Sequence, residues 1–211
     1  GDSIAEQVFV RLFAAKAITI GTWWEFHNVY SSYWRLYANE EDGAVITLPD
    51  GTRHELDSQR MHLVPAWVTF ACHAEREIHH HFAHFELVGI PAPLSRVVFT
   101  SPIALDLDRN AWPHRELLEL RETRSIATAM NVQAACYRAV ALALDKLDTW
   151  RLDLLVNHGQ AQKAIAPALA SIDRHLQADM RVGILADLCG YCTDHFIRIF
   201  KESTGQTPVA Y

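Results

Sequence analysis

The sequence contains no apolar run of about 18 residues, the length that a membrane-spanning helix needs. Residues 1–6 lack the basic and then apolar layout of a secretory signal peptide. The four cysteines are few for a disulfide-rich secreted domain, so we expect free thiols that fill small apolar spaces. These absences predict a cytoplasmic protein without a membrane partner.

Basic residues are also scarce. The formal net charge is −6, which argues against a surface coated in Lys and Arg for nucleic acid. The charge is unevenly divided, because residues 163–211 hold five basic and five acidic residues and the whole negative excess lies in residues 1–162. A neutral C-terminal segment is weak support for DNA binding, since phosphate neutralisation supplies much of the affinity.

The composition is otherwise that of an ordinary globular protein. Half of the residues are apolar and 21% are charged, so the chain can bury a sizeable core. Near the N-terminus, residues 3–17 place Ile4, Val8 and Leu12 at helical spacing. This spacing predicts a short N-terminal helix.

A β-rich zone follows, from residue 22 to about residue 108. Short runs rich in Val, Ile and aromatic residues are separated there by turn signals, which predicts antiparallel strands in a small barrel. The turn sequence Pro49-Asp50-Gly51 stands between residues 44–48 and residues 52–56. It predicts a β-hairpin.

Helical patterns dominate after Pro113. We expect a short amphipathic helix over residues 115–124 and a long helix over residues 125–155. Residues 156–160 predict a helix stop and a short linker, and a third zone, also helical, begins near Lys163. The expected domain boundaries are therefore 1–110, 111–158 and 163–211.

The most informative stretch is residues 184–201, which predicts a helix, a tight turn and a second helix. Gly190 can take the positive φ that the turn needs, and Thr193 begins the second helix. Apolar residues of both helices are expected to face a shared core, namely Leu185, Ala186, Leu188, Phe196, Ile199 and Phe200. This plan is a helix-turn-helix, whose second helix lies in the major groove of DNA.

The same stretch resembles the first helix-turn-helix of AraC-type transcription regulators. The shared residues are Ala186 and Gly190 at the family's spacing, Phe200-Lys201, Thr204-Gly205, Pro208 and Tyr211. Residues 168–173 are similar to the helix that opens this unit. One departure is Cys192, where the family has Ser at the N-cap of the recognition helix, because Cys is a poor cap.

The resemblance implies two helix-turn-helix units, and the printed sequence ends at Tyr211, where the helix that joins them is expected to begin. We therefore expect residues 163–211 to be the first unit, without the second. The resemblance also implies double-stranded DNA as a partner. The expected DNA-binding residues form one exposed stripe of the second helix, namely Thr193, Asp194, Ile197, Arg198 and Lys201. Arg198 is expected to read bases and Lys201 to contact phosphate.

A histidine-rich stretch, residues 79–84, lies in the β zone. Strand alternation places His80, Phe82 and His84 on one face. Residues 32–88 loosely resemble the cupin-like sensor barrel of AraC-type regulators, and by that resemblance this face looks inward, where family members bind sugars or other small effectors. The equal alternative is that these side chains only fill the barrel. The expected effector-binding residues are Trp24, Trp34, His80, Phe82 and His84, with a carbohydrate as the expected effector.

A metal-dependent cupin enzyme is the alternative function, with His79, His81 and Glu86 as metal ligands. The glycine that such cupins place before the first histidine is absent, because His73 stands there. The motif from Cys189 to Cys192 lacks the second pair of ligands that a zinc site needs. We therefore expect no metal, no cofactor and no enzymatic activity.

Together these observations predict an α+β protein. It is expected to contain an N-terminal cupin-like antiparallel β-barrel, a helical dimerisation hairpin and a C-terminal all-α helix-turn-helix. The expected function is that of a ligand-responsive, sequence-specific DNA-binding regulator, which forms a homodimer through its helical segment. Binding of an effector in the barrel would change how the DNA-binding unit is presented.

Overall fold

The computed structural model describes residues 7–106, 112, 114–118, 125–174 and 181–211. The chain divides into two compact units, Val8–Arg151 and a unit formed by Leu152–Tyr211 with Gln7. Within the described residues, no helix is both long and apolar enough to span a membrane.

The described residues of the N-terminal unit form nine strands: β1 (Phe9–Ile20), β2 (Phe26–Val29), β3 (Trp34–Asn39), β4 (Ala44–Thr47), β5 (Arg53–Glu55), β6 (Met61–Val64), β7 (Phe70–Ala74), β8 (Ile78–Val88) and β9 (Ile103–Leu105). The helices in the described ranges of the chain are α1 (Ala92–Val98), α2 (His114–Leu118), α3 (Ile126–Leu144), α4 (Thr149–Arg174), α5 (Val182–Leu188) and α6 (Thr193–Thr204).

The strands form two antiparallel sheets, one in the order β1-β8-β3-β6-β9 and one in the order β2-β7-β4-β5. A core of buried side chains from both sheets lies between them, with Tyr37, Ile46, Phe70 and Ile78 among its members. Helix α3 packs against the other face of the five-stranded sheet, on β1, β6 and β9. The α+β prediction is confirmed, whereas closure into a cupin-like barrel stays a prediction.

The predicted hairpin at residues 44–56 is confirmed, because β4 and β5 pair in antiparallel fashion, with Val45 opposite Glu55. The turn between them holds Gly51 at φ +85°. Asp50 Oδ1 accepts a hydrogen bond of 2.8 Å from the Thr52 backbone N–H, as expected for an Asp in a tight turn.

The predicted N-terminal helix is wrong over residues 7–17, because Phe9–Ile20 forms strand β1. Residues 3–6 lie outside the described residues. Almost the whole of β1 pairs with β8, from Phe9 opposite Val88 to Ile20 opposite Ile78. The distant partner strand therefore overrides the helical spacing of a few apolar residues.

The predicted long helix over residues 125–155 is also wrong in its boundaries. Ser125 caps α3, since its Oγ accepts a hydrogen bond of 3.0 Å from the Thr128 backbone N–H. The helix ends at Leu144, and α4 begins at Thr149 and runs through the residues predicted to be a linker. Gly159 lies buried inside α4, so it is a packing residue and not a helix stop.

For the helix predicted at 115–124, residues 114–118 are helical and 119–124 lie outside the described residues.

Trp34 belongs to the packing between the five-stranded sheet and its helical cover. Its side chain is only 2% exposed, and it contacts Phe85 at 6.2 Å and Phe99 at 4.8 Å between ring centroids. Trp34→Ala should therefore lower the free energy of unfolding by about 3–5 kcal/mol in urea titrations, the usual cost of removing a buried aromatic ring. The matched variant Trp23→Ala, at a 61% exposed ring, should cost less than about 1 kcal/mol. Equal losses in the two variants would contradict this placement.

Candidate functional site

The register between β3 and β8 determines which side chains face the space between the two sheets. Arg35 lies opposite His84, Tyr37 opposite Phe82, and Asn39 opposite His80. Because side chains alternate along a strand, these three pairs share one face of the sheet. The intervening residues, such as Trp34 and Phe85, point to the helical side.

A cavity of about 370 Å³ opens on this shared face. Its size falls within the range of small-molecule sites in proteins. It is lined by Ile18, Trp23, Trp24, Phe26, Val29, Tyr33, Arg35, Tyr37, Phe70, Cys72, His80, Phe82 and His84. Most of these side chains are apolar or aromatic, so the cavity suits a small organic molecule.

Four of the five residues predicted to bind an effector line this cavity, namely Trp24, His80, Phe82 and His84. Trp34 does not, because it points to the opposite face of β3 and is buried against Phe85 and Phe99. The prediction was therefore wrong for the position of Trp34. Sequence reasoning missed Arg35 and Tyr37, although the alternation of β3 could have placed them beside Phe82 and His84.

His80 is a neutral hydrogen-bonding group that lines the cavity. Its Nδ1 lies 2.7 Å from Asn39 Oδ1, and Asn39 Nδ2 donates to the Leu56 carbonyl at 2.9 Å. Since Asn39 Oδ1 is the acceptor, Nδ1 carries the proton and Nε2 keeps its lone pair. Burial lowers the pKa of His80 to about 3. The ring is therefore neutral at pH 7 and can accept a hydrogen bond through Nε2.

His84 is also neutral, and it belongs to an aromatic stack. Its ring centroid lies 4.6 Å from that of Phe82 and 4.9 Å from that of Tyr33. Burial, with a smaller contribution from the positive charge of Arg35, lowers the pKa of His84 to about 4. Burial likewise raises the pKa of Cys72 to about 11, so that thiol stays protonated.

Among the described residues that line the cavity, Arg35 is the one charged side chain. It is only 5% exposed, and its guanidinium carbon lies 4.5 Å from the centroid of the Tyr33 ring and 5.2 Å from that of Phe70. Its Nη1 is buried and has no hydrogen-bond partner within the described part of the chain. A buried cation in this state is rare, because burial of an unpaired charge is costly.

The metal set proposed as an alternative does not converge. His79 and His81 lie on the face of β8 opposite to His80, whereas Glu86 lies on the same face as His80 and His84 and pairs with Arg11 at 3.3 Å. His79 Nδ1 lies 3.0 Å from a carboxylate oxygen of Glu41. That alternative prediction is therefore wrong in its geometry.

A different group, made of Glu40, Glu41 and His79, brings one possible ligand atom from each residue within 4.8 Å of the others. His81 Nε2 also lies 3.0 Å from Glu40 Oε1. These atoms could surround a cation. Exposed acidic groups commonly lie together without one, however, and here the carboxylates already accept hydrogen bonds from histidine rings.

The C-terminal unit has the predicted helix-turn-helix. Helix α5 leads into a turn with Gly190 at φ +73°, and α6 follows from Thr193. A small core joins the two helices to α4, formed by Ile165, Ala168, Leu185, Ala186, Phe196 and Phe200. The prediction was wrong for Leu188, which is 48% exposed. Cys192 occupies the N-cap position and makes no side-chain capping bond, as expected for cysteine.

The outward face of α6 carries the residues predicted to bind DNA. Four of them are exposed and Ile197 is half-buried; the exposed ones are Thr193, Asp194, Arg198 and Lys201. Arg198 Nη1 pairs with Glu202 Oε1 at 3.1 Å, and its Nη2 lies 3.1 Å from His195 Nδ1. Sequence reasoning missed both of these partners. The spacing of three and four residues from Arg198 could have revealed them.

Residues 172–211 match the family model of bacterial regulatory helix-turn-helix proteins, AraC family. The chain carries an AraC-type helix-turn-helix. This match confirms the resemblance drawn from Ala186, Gly190 and the residues that follow them. A search of the curated proteins found no match to the chain.

Solved structures give weaker similarities. ToxT from Vibrio cholerae O395 is 10% identical, over 98% of this chain and 97% of that chain, with a TM-score of 0.35. The protein NMB1881 from Neisseria meningitidis is 10% identical, over 36% and 82%, with a TM-score of 0.31. YhaK from Escherichia coli is 11% identical, over 37% of each chain, with a TM-score of 0.32. At TM-scores this low, none of these similarities establishes a common fold.

Acid should destabilise the N-terminal unit through His80 and His84. An unfolded histidine binds a proton near pH 6.5, whereas the folded state resists protonation until about pH 4 for His84 and about pH 3 for His80. The unfolded state therefore binds more protons between pH 6.5 and 4, and the free energy of unfolding falls as the pH drops through this window.

His84→Gln removes one of these two groups. In urea titrations at pH 7 and pH 4.5, the acid-induced loss of unfolding free energy should be smaller in this variant by roughly 1–2 kcal/mol. The control is His27→Gln, because the His27 ring is exposed and lies outside the core between the two sheets. We expect the control to keep the wild-type loss. An unchanged loss in His84→Gln would show that this ring is not kept neutral by burial.

Proposed function

We propose that the protein is a ligand-responsive, sequence-specific DNA-binding transcriptional regulator that acts in the cytoplasm. The observation that carries this proposal is the AraC-type helix-turn-helix of residues 172–211, whose second helix presents exposed Thr193, Asp194, Arg198 and Lys201. Double-stranded DNA is the macromolecular partner. The cavity between the two sheets of the N-terminal unit is the effector site, and the proposal includes no catalytic step, metal or cofactor.

Arg198 is proposed as the main base-reading residue. A guanidinium can donate two parallel hydrogen bonds to guanine O6 and N7. In the free protein it is held by Glu202 and His195, and an exposed ion pair of this kind contributes only about 0.3–0.5 kcal/mol, so DNA can displace it at small cost. Ile197 is placed to contact a thymine methyl group, and Asp194 to accept from cytosine.

The effector is proposed to bind against His80, Phe82, His84 and Trp24. Neutral His80 offers Nε2 as an acceptor for a ligand hydroxyl, and the Phe82 ring offers a flat apolar face for stacking. A carbohydrate, the effector expected from the sequence, has both features. Binding here and binding to DNA would then be coupled, each changing the affinity for the other.

A homodimer through residues 111–158 stays part of the proposal. Helix α3 uses its small buried residues, such as Ala135, Ala139 and Ala143, against its own sheet. The side chains of Leu142 and Leu147 are half-buried, so they are only partly accessible to a second copy of the chain. The most exposed large apolar side chains of α3, Ile126 at 83% and Met130 at 64% exposure, are available to a second copy.

The DNA-binding part is tested by selecting duplexes from a randomised library with the full chain and measuring anisotropy on the selected duplex and on its single-base variants. Arg198→Ala should weaken binding by roughly 1–3 kcal/mol and relax the preference at one or two base pairs. Lys201→Ala should weaken binding to every duplex alike, because a phosphate contact carries no sequence information.

The matched control for these variants is Arg174→Ala, which lies at the end of α4 and outside the turn and second helix. It should leave the base preference unchanged. Equal losses from Arg198→Ala and Lys201→Ala on every duplex would show that Arg198 reads no bases. Failure to select any duplex at low salt would contradict the proposed function of this unit.

The effector part is tested with His80→Ala. Loss of a buried hydrogen-bond partner should weaken binding of a ligand found by thermal-shift screening of sugars and organic acids by about 1–3 kcal/mol in calorimetry. His27→Ala, at an exposed ring outside the cavity, should leave the affinity unchanged. Unchanged binding by His80→Ala, or loss of the wild-type response in the presence of a chelator, would refute this site.

A further inference from the structure

The cavity contains a positive charge that the described residues leave unbalanced. The Arg35 side chain is only 5% exposed, and the rings of Tyr33 and Phe70 lie against its guanidinium. No acidic residue lines the cavity within the ranges that the structure describes. The described part of the chain provides neither an ion pair for Arg35 nor a hydrogen bond for its Nη1.

The other polar groups of the cavity cannot supply the missing negative charge. His80 and His84 are neutral at pH 7, and burial raises the pKa of Tyr37, so its hydroxyl stays protonated. The rings of Tyr33 and Phe70 lie against the guanidinium and offer a cation–π attraction. Such contacts contribute about 1–2 kcal/mol, which offsets only part of the several kcal/mol that burial of a charge costs.

The chemistry that completes this site is an anion of single charge. A carboxylate matches the planar fork of a guanidinium and forms two parallel charge-assisted hydrogen bonds with it. A phosphate would bring close to two negative charges to one cation, beside histidines that stay neutral. A neutral sugar hydroxyl could accept a hydrogen bond from Arg35, but it would leave the charge uncompensated.

The rest of the cavity indicates what the carboxylate is attached to. Beside Arg35 the lining is a series of rings and aliphatic groups, with Phe82 and Trp24 next to His80. A compact organic body of about 370 Å³ or less can fill this space. His80 Nε2 adds one acceptor for a hydroxyl on that body.

We propose that the effector is a small organic monocarboxylate, whose carboxylate pairs with Arg35 and whose body packs on Phe82 and Trp24. This inference rests on the proposed function, in which the cavity is the effector site. It assigns an acid as the effector in place of the neutral carbohydrate expected from the sequence, and it makes Arg35 the residue that determines specificity.

The test uses the full chain and pairs of probes that share a carbon skeleton and differ in having a carboxylate or a hydroxymethyl group at one end. 4-Phenylbutyrate is compared with 4-phenylbutanol, octanoate with octanol, and gluconate with sorbitol, by calorimetry and thermal shift at constant ionic strength. At least one carboxylate should bind and raise the melting temperature, and its neutral partner should bind at least roughly 30-fold more weakly, as expected for loss of a buried charged pair.

Three variants assign the effect to Arg35. Arg35→Met keeps the length of the side chain and removes the charge, so it should abolish the preference for the acid and should not lower the melting temperature of the unliganded protein. Arg35→Lys keeps the charge without the fork and should retain a weaker preference. The matched control is Arg96→Met, which removes an exposed guanidinium that stacks on Trp67 outside this cavity; it should bind like the wild type.

The outcomes separate the two proposals. Equal binding of acids and neutral partners, insensitive to Arg35→Met but weakened by His80→Ala, would overturn the carboxylate assignment and leave the cavity as the effector site. Absence of binding by every probe would overturn the carboxylate assignment and count against the effector site as well. If Arg35→Met fails to fold, Arg35 is structural and the proposal is overturned unless Arg35→Lys folds and still prefers the acid.

Discussion

The antiparallel pairing of β3 with β8 is the constraint on which the candidate site depends. Side chains alternate with a period of two, so the register places Arg35, Tyr37 and Asn39 beside His84, Phe82 and His80. A slip of β3 by one residue would turn Arg35, Tyr37 and Asn39 to the helical side. It would bring Trp34 into the space between the sheets. The strand register, rather than the number of histidines, therefore determines which side chains line the cavity.

Desolvation then determines the chemistry of that cavity. Histidines in water would be partly charged near pH 6.5, but burial keeps His80 and His84 neutral. Asn39 fixes the tautomer of His80, because its own amide group is committed to the Leu56 carbonyl. A guanidinium cannot lose its proton in this way, so Arg35 keeps its charge at the same burial. Two neutral histidine rings and one permanent cation are thus among the polar groups that a ligand meets, beside the hydroxyls of Tyr33 and Tyr37.

Local patterns predicted the parts of the structure that depend on neighbouring residues. The helix-turn-helix and the alternation of residues 80–84 follow from short spacings, and both are present. The predictions that failed concern segments whose structure depends on residues distant in the sequence. Residues 9–20 join a sheet although their apolar spacing fits a helix, and Gly159 packs inside a helix where a helix stop was expected. Arg35 was overlooked because a lack of partners is visible only in the folded structure.

The charge of α6 bears on how an effector would control DNA binding in the proposed function. Arg198 and Lys201 are the basic residues of this helix, and Asp194 and Glu202 cancel their charge. Such a helix gains little affinity from phosphate neutralisation, so its binding must rely on base contacts and on the presence of further DNA-binding units. A coupling of about 1–3 kcal/mol between effector and DNA changes the affinity roughly 5- to 150-fold, and this changes occupancy strongly when the protein concentration is close to the dissociation constant. A nearly neutral α6 with low affinity for DNA is therefore suited to control by a ligand bound elsewhere in the same chain.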